Sequence, residues 1–231
     1  MSERWVCLDV GETLIDETRI WSTWADELGI PRMTFLAGMG AVIARGLEHW
    51  AVFDLFGIDD WPMRIASVES IHGGFRADDL YPDALPALDA LREAGYRLAV
   101  IANQPAVRDE QLRGMGVEPD VMAMSEAIGV AKPEPEFFAR CLELMGNPAP
   151  AEVAYIGDRV DNDVIPAAAA GMRAVWIRRG PWGLIQPPPP PGVAALVVES
   201  LAELVQRMTE AWPPADEIRT PSPPHDEAHS T

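Results

Sequence analysis

Apolar and polar positions divide the chain into stretches of different rhythm. Residues 5–8, Trp-Val-Cys-Leu, form a continuous apolar run that ends on Asp9 and breaks at Gly11. This is the pattern of a strand buried on both faces. From about Thr18 to His72 the spacing is helical, and no strand candidate falls there. Ile20, Trp21, Trp24 and Leu28 share one face of a first helix, which closes at Gly29-Ile30-Pro31. Further helices are expected over 34–45, over 47–56 and after Trp61-Pro62, where proline suits a first turn.

From Tyr81 onward helices and apolar runs alternate. Helices are expected over 82–94, 107–113, 135–145 and 162–170, and strands over 97–101, 121–124, 153–156 and 173–177. A final edge strand over 193–198 and a final helix over 201–208 follow a five-proline spacer at 187–191. Such alternation predicts an α/β chain: a Rossmann-like three-layer core on a parallel sheet, with an inserted α-helical cap. The boundaries read as core 1–16 and 78–210, cap 17–77, and an acidic, proline-rich tail 211–231 expected to be disordered.

Composition narrows the possible partners. The 36 Asp and Glu against 18 Lys and Arg leave a formal charge of −18, which repels nucleic acid and anionic membranes. Neither is expected as a partner, and an anionic small molecule needs a local cation. Cys7 falls in the buried strand and Cys141 in a helical pattern, as core residues of a reducing compartment do. Charges at Glu3, Arg4 and Asp9 interrupt any signal-peptide apolar region. No apolar run approaches the ~20 residues of a membrane span, so a cytoplasmic location is expected.

Function in an open parallel sheet collects at the carboxyl ends of the strands. The segments there are Asp9-Val10-Gly11-Glu12-Thr13, Ala102-Asn103-Gln104-Pro105, Gly129-Val130-Ala131-Lys132-Pro133, and Gly157-Asp158 through Asn162-Asp163. Asp9 alone reads equally as a site carboxylate or as a cap of the next helix. Taken together, three acids and a lysine converge on one edge. Two like charges ~4 Å apart at an effective dielectric of ~20 repel by about 4 kcal/mol, so the acids call for a cation. Mg²⁺ suits carboxylate oxygens, and Lys132 can neutralise the excess and hold a phosphate. The residues therefore point to phosphoryl transfer at a Mg²⁺ carboxylate site.

These four segments, with YPDALPALDALREAGYRLAVIAN, GVAKPEPEFF and YIGDRVDNDVIPAAAAGMRAVWI, resemble the haloacid dehalogenase-like (HAD) hydrolase superfamily over residues 4–210. The likeness is to the subfamily with a small helical cap after the first motif. It implies that Asp9 is the nucleophile that becomes an aspartyl-phosphate. It also implies that Asp9, the backbone carbonyl of Gly11, and Asp158 bind Mg²⁺, with Asp163 orienting Lys132 or a metal-bound water. Lys132 and Asn103 would bind the phosphoryl oxygens, and the cap would close over a small phosphorylated substrate.

Two positions depart from that family. Its phosphatases carry a second Asp two residues after the nucleophile, which protonates the leaving alcohol and then activates water; here that position is Gly11. Losing such a group costs about 10²–10⁴ in rate, and an Asp restored at position 11 is expected to raise turnover of alkyl phosphates. A hydroxyl residue normally precedes Asn103, and here it is Ala102. Glu12 points away from Asp9 if the segment is extended and comes back toward it if Gly11 turns, so it reads either as a replacement acid or as a surface or hinge residue.

Three functions follow: a HAD-type phosphatase favouring acyl or aryl phosphates; a degenerate relative that binds a phosphorylated ligand or a partner without turnover; or C–halogen cleavage, against which the GDxxxND metal motif speaks. In the cap, Trp21, Trp24, His49, Trp50, Arg64, His72, Phe75 and Arg76 are candidates for substrate contact, and a minority of them is expected to make it.

Overall fold

A computed structural model describes residues 3–212. Six parallel strands form one sheet in the order β3-β2-β1-β4-β5-β6: β1 Trp5–Leu8, β2 Arg97–Ala102, β3 Val121–Met124, β4 Val153–Gly157, β5 Arg173–Ile177 and β6 Leu196–Val198. Strand β1 is central and pairs with β2 on one side and β4 on the other. The chain fills one half of the sheet, returns, and fills the other, so β1 and β4 flank the point where the winding reverses.

Alternate β1 side chains enter different cores. Val6 and Leu8 pack in the cluster with Leu88, Leu91, Leu98 and Val100, whereas Trp5 and Cys7 pack with Phe137, Phe138, Tyr155 and Trp176. This two-sided burial is why the strand reads as an unbroken apolar run. Cys7 and Cys141 are free, buried thiols.

After β1 come the four helices of an insert, α1 Thr18–Glu27, α2 Arg32–Ala44, α3 Ala51–Leu55 and α4 Trp61–His72, and a fifth helix then leads into β2. The four bury their own cluster around Trp21, Trp24, Phe35, Met39, Phe53 and Val68. The third is shorter than its apolar pattern suggests, because Gly46 takes a left-handed φ of 68° and residues 47–50 turn instead. The remaining helices are α5 Ala84–Glu93, α6 Arg108–Gly114, α7 Ser125–Ile128, α8 Pro135–Leu144, α9 Ile165–Ala169, α10 Gly180–Ile185 and α11 Leu201–Arg207.

Two local differences from the sequence expectation matter. The helix expected over 162–170 opens instead with a wide π-type turn, Val160–Val164, before α9. Helix α10 lies in a Gly-Pro-Trp-Gly segment to which the sequence reading assigns no element, and its Trp182 packs into the cluster of the four-helix insert rather than into either core. At the C-terminal end, Ala211 and Trp212 belong to the core and not to the tail, and the Trp212 indole donates to the Ala151 carbonyl. The rest of the expected disordered tail, 213–231, lies outside the described residues. No helix among the described residues is long and apolar enough to cross a membrane.

Candidate active site

The strand pairing itself brings the acids together. Leu8 is in register with Ile156, and the Asp9 N–H donates to the Ile156 carbonyl at 2.9 Å. Asp9 and Asp158 are therefore the first residues past two adjacent strand ends. Asp163 returns to them from the π-type turn, and one oxygen from each of Asp9, Asp158 and Asp163 lies within 4.8 Å of the others. A Cβ at Gly157 would stand 2.3 Å from the Asp163 carboxyl carbon, so only glycine there admits Asp163 to the cluster.

Lys132 closes the group from the loop before α8. Its Nζ lies 2.7 Å from Asp9 Oδ1 and 2.6 Å from Asp163 Oδ1. Burial alone would depress the lysine, but Asp163 and Asp9 hold it well above its usual range. Burial and then Lys132 act in opposite directions on Asp163, whose carboxyl stands raised at about 6. Asp158 is pushed well above the usual carboxylate range by burial and by Asp163 and Asp9. Its Oδ2 is buried with no hydrogen-bond partner among the described residues. Asp158 does not cap a helix either; Arg159 occupies that position in the following turn.

Asn103 has a different immediate task from the one its motif suggests. Its Oδ1 accepts from the Lys132 N–H at 2.8 Å, and its Nδ2 donates to the Lys132 carbonyl at 2.9 Å. It thereby clamps the lysine loop, leaving one amide hydrogen for a ligand. Ala102 is fully buried at the end of β2 and offers no hydroxyl.

Above this edge lies a cavity of about 350 Å³. Asp9, Gly11, Asn103, Lys132 and Asp158 form its floor, with Asp163 buried behind Lys132. The insert supplies its roof, and more of it than expected: Trp21, Trp24, His49, Trp50 and Phe75 all line the cavity. Arg64 instead pairs with Asp60, and His72 is buried away from the cavity, its carbonyl accepting from Arg76. Trp50 stacks on Trp61 with centroids 4.5 Å apart, and Trp21 meets His49 edge-on at 5.5 Å.

Among the cavity residues that the sequence reading does not single out are Glu17, Glu69, Arg108 and Trp182. Arg108 is buried, pairs with Glu69 at 2.7 Å, and lies over the Phe75 ring. Nothing in a helix-forming RDEQLRG stretch marks it as inward-facing. Glu17 is partly buried at the start of α1. Burial and the charge of Asp9 push its carboxyl up to about 7, while the Gln104 amide, 3.3 Å away, works against them.

Glu12 is neither extended nor on the surface. Its φ is 51°, a left-handed conformation unusual for a side-chain-bearing residue, and it is 4 % exposed. Its carboxyl accepts from Tyr81 Oη at 2.5 Å and from the Glu17 N–H at 3.1 Å. A Cβ at Gly180 would meet it at 2.3 Å. Burial and then Glu17 push it up to about 8. Glu12 therefore ties the first strand–loop to Tyr81 and to the entry of α1.

Residues 4–171 match the sequence model of the haloacid dehalogenase-like hydrolases. The chain is 35% identical over 151 residues to a glyceraldehyde 3-phosphate phosphatase of Methanopyrus kandleri, covering 62% of this chain and 64% of that one. It is 36% identical over 128 residues to a phosphoserine phosphatase of Thermus thermophilus, covering 54% of this chain and 49% of that one. The chain thus spans about half to two-thirds of the length of these curated relatives. Among solved structures, a HAD phosphatase from Thermococcus onnurineus superposes with a TM-score of 0.59 at 25% identity, over 89% of this chain and 97% of that one. With the sheet order, the four motif segments and a family match over most of its length, the chain belongs to the haloacid dehalogenase-like hydrolases.

Proposed function

We propose that this chain is a Mg²⁺-dependent phosphatase of a small phosphorylated metabolite, working through an aspartyl-phosphate on Asp9. The observation that carries this reading is the buried cluster in which one ammonium, Lys132, faces Asp9 and Asp163 while Asp158 Oδ2 has no hydrogen-bond partner among the described residues. Three carboxylates and one lysine leave a formal excess of negative charge out of water, which is unfavourable without a further cation. The donors fit Mg²⁺, a hard ion that takes carboxylate oxygens. Asp9, Asp158 and Asp163 would hold it, and when bound it would offset the charge of the transferring phosphoryl group.

The remaining work belongs to the chain. An Asp9 oxygen attacks phosphorus, and the bond from phosphorus to the leaving oxygen breaks. Lys132 holds Asp9 in place and is positioned to meet phosphoryl oxygens, and Asn103 fixes the lysine loop. Water then attacks the same phosphorus and frees Asp9. The tryptophan roof keeps bulk water from the reacting atoms and contacts the leaving group. The activities for which the two phosphatase relatives are named support phosphate-ester hydrolysis of small metabolites.

The decisive measurement is hydrolysis of p-nitrophenyl phosphate and acetyl phosphate with Mg²⁺ and after chelation, in the native chain and in Asp9→Asn. Activity should require Mg²⁺ and fall by on the order of 10³-fold or more in the variant. Activity that survives Asp9→Asn sinks the nucleophile assignment. Gly11 and Ala102 favour a second reading, a protein that binds phosphorylated ligands without turnover. It predicts saturable binding of inorganic phosphate and no hydrolysis of either compound.

A further inference from the structure

The place vacated by the acid at position 11 is already filled. A Cβ built on Gly11 would lie 2.5 Å from Glu17 Oε1 and 2.9 Å from the Glu17 carboxyl carbon. The carboxyl of Glu17 thus occupies the space in which a side chain at position 11 would begin, and it does so in the cavity that contains Asp9, Lys132 and Asp158.

The local structure aims it there. Glu17 is the cap residue of α1, where a carboxylate ordinarily accepts from the first N–H groups of its own helix. It makes no such bond among the described residues. Asp16 takes that duty, accepting from the Thr18 N–H at 2.8 Å. Glu12 holds the Glu17 backbone from below at 3.1 Å, and Gln104 holds its Oε1 from the side at 3.3 Å. Both glutamates line the cavity, but the Glu12 carboxyl is engaged by Tyr81 and by the Glu17 N–H, whereas the Glu17 carboxyl fills the space beside Gly11.

We propose that Glu17 is the proton-transfer residue of this enzyme, reaching from the start of the insert into the space left by Gly11. The inference rests on the phosphatase reading above. In the first half-reaction Asp9 forms a bond to phosphorus, the ester P–O bond breaks, and its electron pair leaves on the alcohol oxygen, which takes the proton of the Glu17 carboxyl. In the second, water bonds to phosphorus and gives its proton back to Glu17, and the electron pair of the P–O bond returns to Asp9. Ester and water enter; alcohol and phosphate leave. Restoring an acid at position 11 alone gains nothing, contrary to the expectation from sequence, because the new side chain and Glu17 compete for one space.

The test is a leaving-group series on Glu17→Gln, with folding checked by thermal unfolding. Alkyl phosphates should lose about 10²–10⁴ in kcat/KM. On p-nitrophenyl phosphate, whose leaving group needs no proton, Glu17→Gln should release one equivalent of p-nitrophenolate per chain in a burst and then stall. The stalled chain should carry one added phosphoryl group in its intact mass. Glu17→Ala should be equally impaired, and Gly11→Asp combined with Glu17→Ala should recover part of the alkyl activity. Gly11→Ala should behave like Glu17→Gln, because its methyl displaces the carboxyl. An equal loss of kcat/KM on alkyl and aryl esters in Glu17→Gln, or a uniform loss without burst or phosphorylated chain, overturns the proposal. If the native chain and Asp9→Asn are alike on every ester, the phosphatase reading fails first and this one with it. If the native chain depends on Asp9 and ignores Glu17, only this one fails.

Discussion

The carboxyl edge of the sheet and the inner face of the helical insert look at each other across one cavity but are built in opposite ways. At the edge, Lys132 sits within 2.7 Å of two carboxylates, and each carboxylate is placed by a strand end or by the turn just after it. On the insert, the cavity wall is Trp21, Trp24, Trp50 and Phe75, with Trp61 stacked behind. The two arginines that reach the cavity are already engaged, Arg108 by Glu69 and Arg159 by Asp161 and Glu48. On the proposed function, the edge addresses the phosphoryl group, which every candidate substrate shares, and the insert addresses the part that varies. A wall of rings gains affinity from contact area and discriminates by shape more than by charge.

The largest effect separating the two faces is expected from Lys132→Met. Removing one partner of a buried pair leaves Asp9 and Asp163 unpaired and costs about 3–5 kcal/mol. In a chain of this size that lowers the melting temperature by on the order of 10 °C in chelator, with partial recovery in Mg²⁺. A melting temperature unchanged in chelator breaks the claim that the edge is held together by charge.

A smaller effect belongs to His72, buried where the insert returns to the core. Burial and then Arg19 and Arg108 depress its imidazole to about 4, against the opposite pull of Asp79. The unfolded chain therefore takes a proton near pH 6.5 that the folded chain refuses until about pH 4. The stability this contributes is complete above 6.5 and is lost as pH falls, at up to about 1.4 kcal/mol per pH unit. Melting curves at pH 7 and 5 should show a shallower decline for His72→Gln than for the native chain; parallel declines remove His72 from the account. The smallest effect sharpens the role of the roof. Trp50→Ala should raise KM for p-nitrophenyl phosphate about 2- to 10-fold at constant kcat and leave acetyl phosphate, which has no ring, unchanged. Equal shifts on both compounds would show that Trp50 shapes the cavity without touching the leaving group.

The contrast also explains what could be read from the sequence. Strand ends are legible because an apolar run stopping on Asp9, or on Gly157-Asp158, fixes both the element and the side chain it delivers. The edge was therefore visible residue by residue, Lys132 and Asp163 included. Glu17 was not, because its role depends on a cap residue declining to cap and on the emptiness of Gly11, neither of which has a periodicity. Of the places open to Glu12, the surface is excluded by burial, because its left-handed backbone sends its carboxyl to Tyr81, a residue distant in sequence. The roof was legible as helices but not as a surface: helical spacing gives each tryptophan a face, and only tertiary packing decides whether that face meets a core or a cavity.

Trp182 gives the joint between the two faces a mechanical character. By chain position it belongs with the sheet, two residues past Gly180, yet it is 4 % exposed and shares its packing with Trp21, Trp24 and Phe53. Outward rotation of the insert must therefore either drag α10 along or uncover this indole. Uncovering a large apolar side chain costs on the order of 2–3 kcal/mol. That weight favours the shut arrangement by some tens- to about a hundredfold before any ligand arrives. The door over Asp9 is sprung toward closure by a residue on the frame, and its stiffness can be altered without touching the hinge.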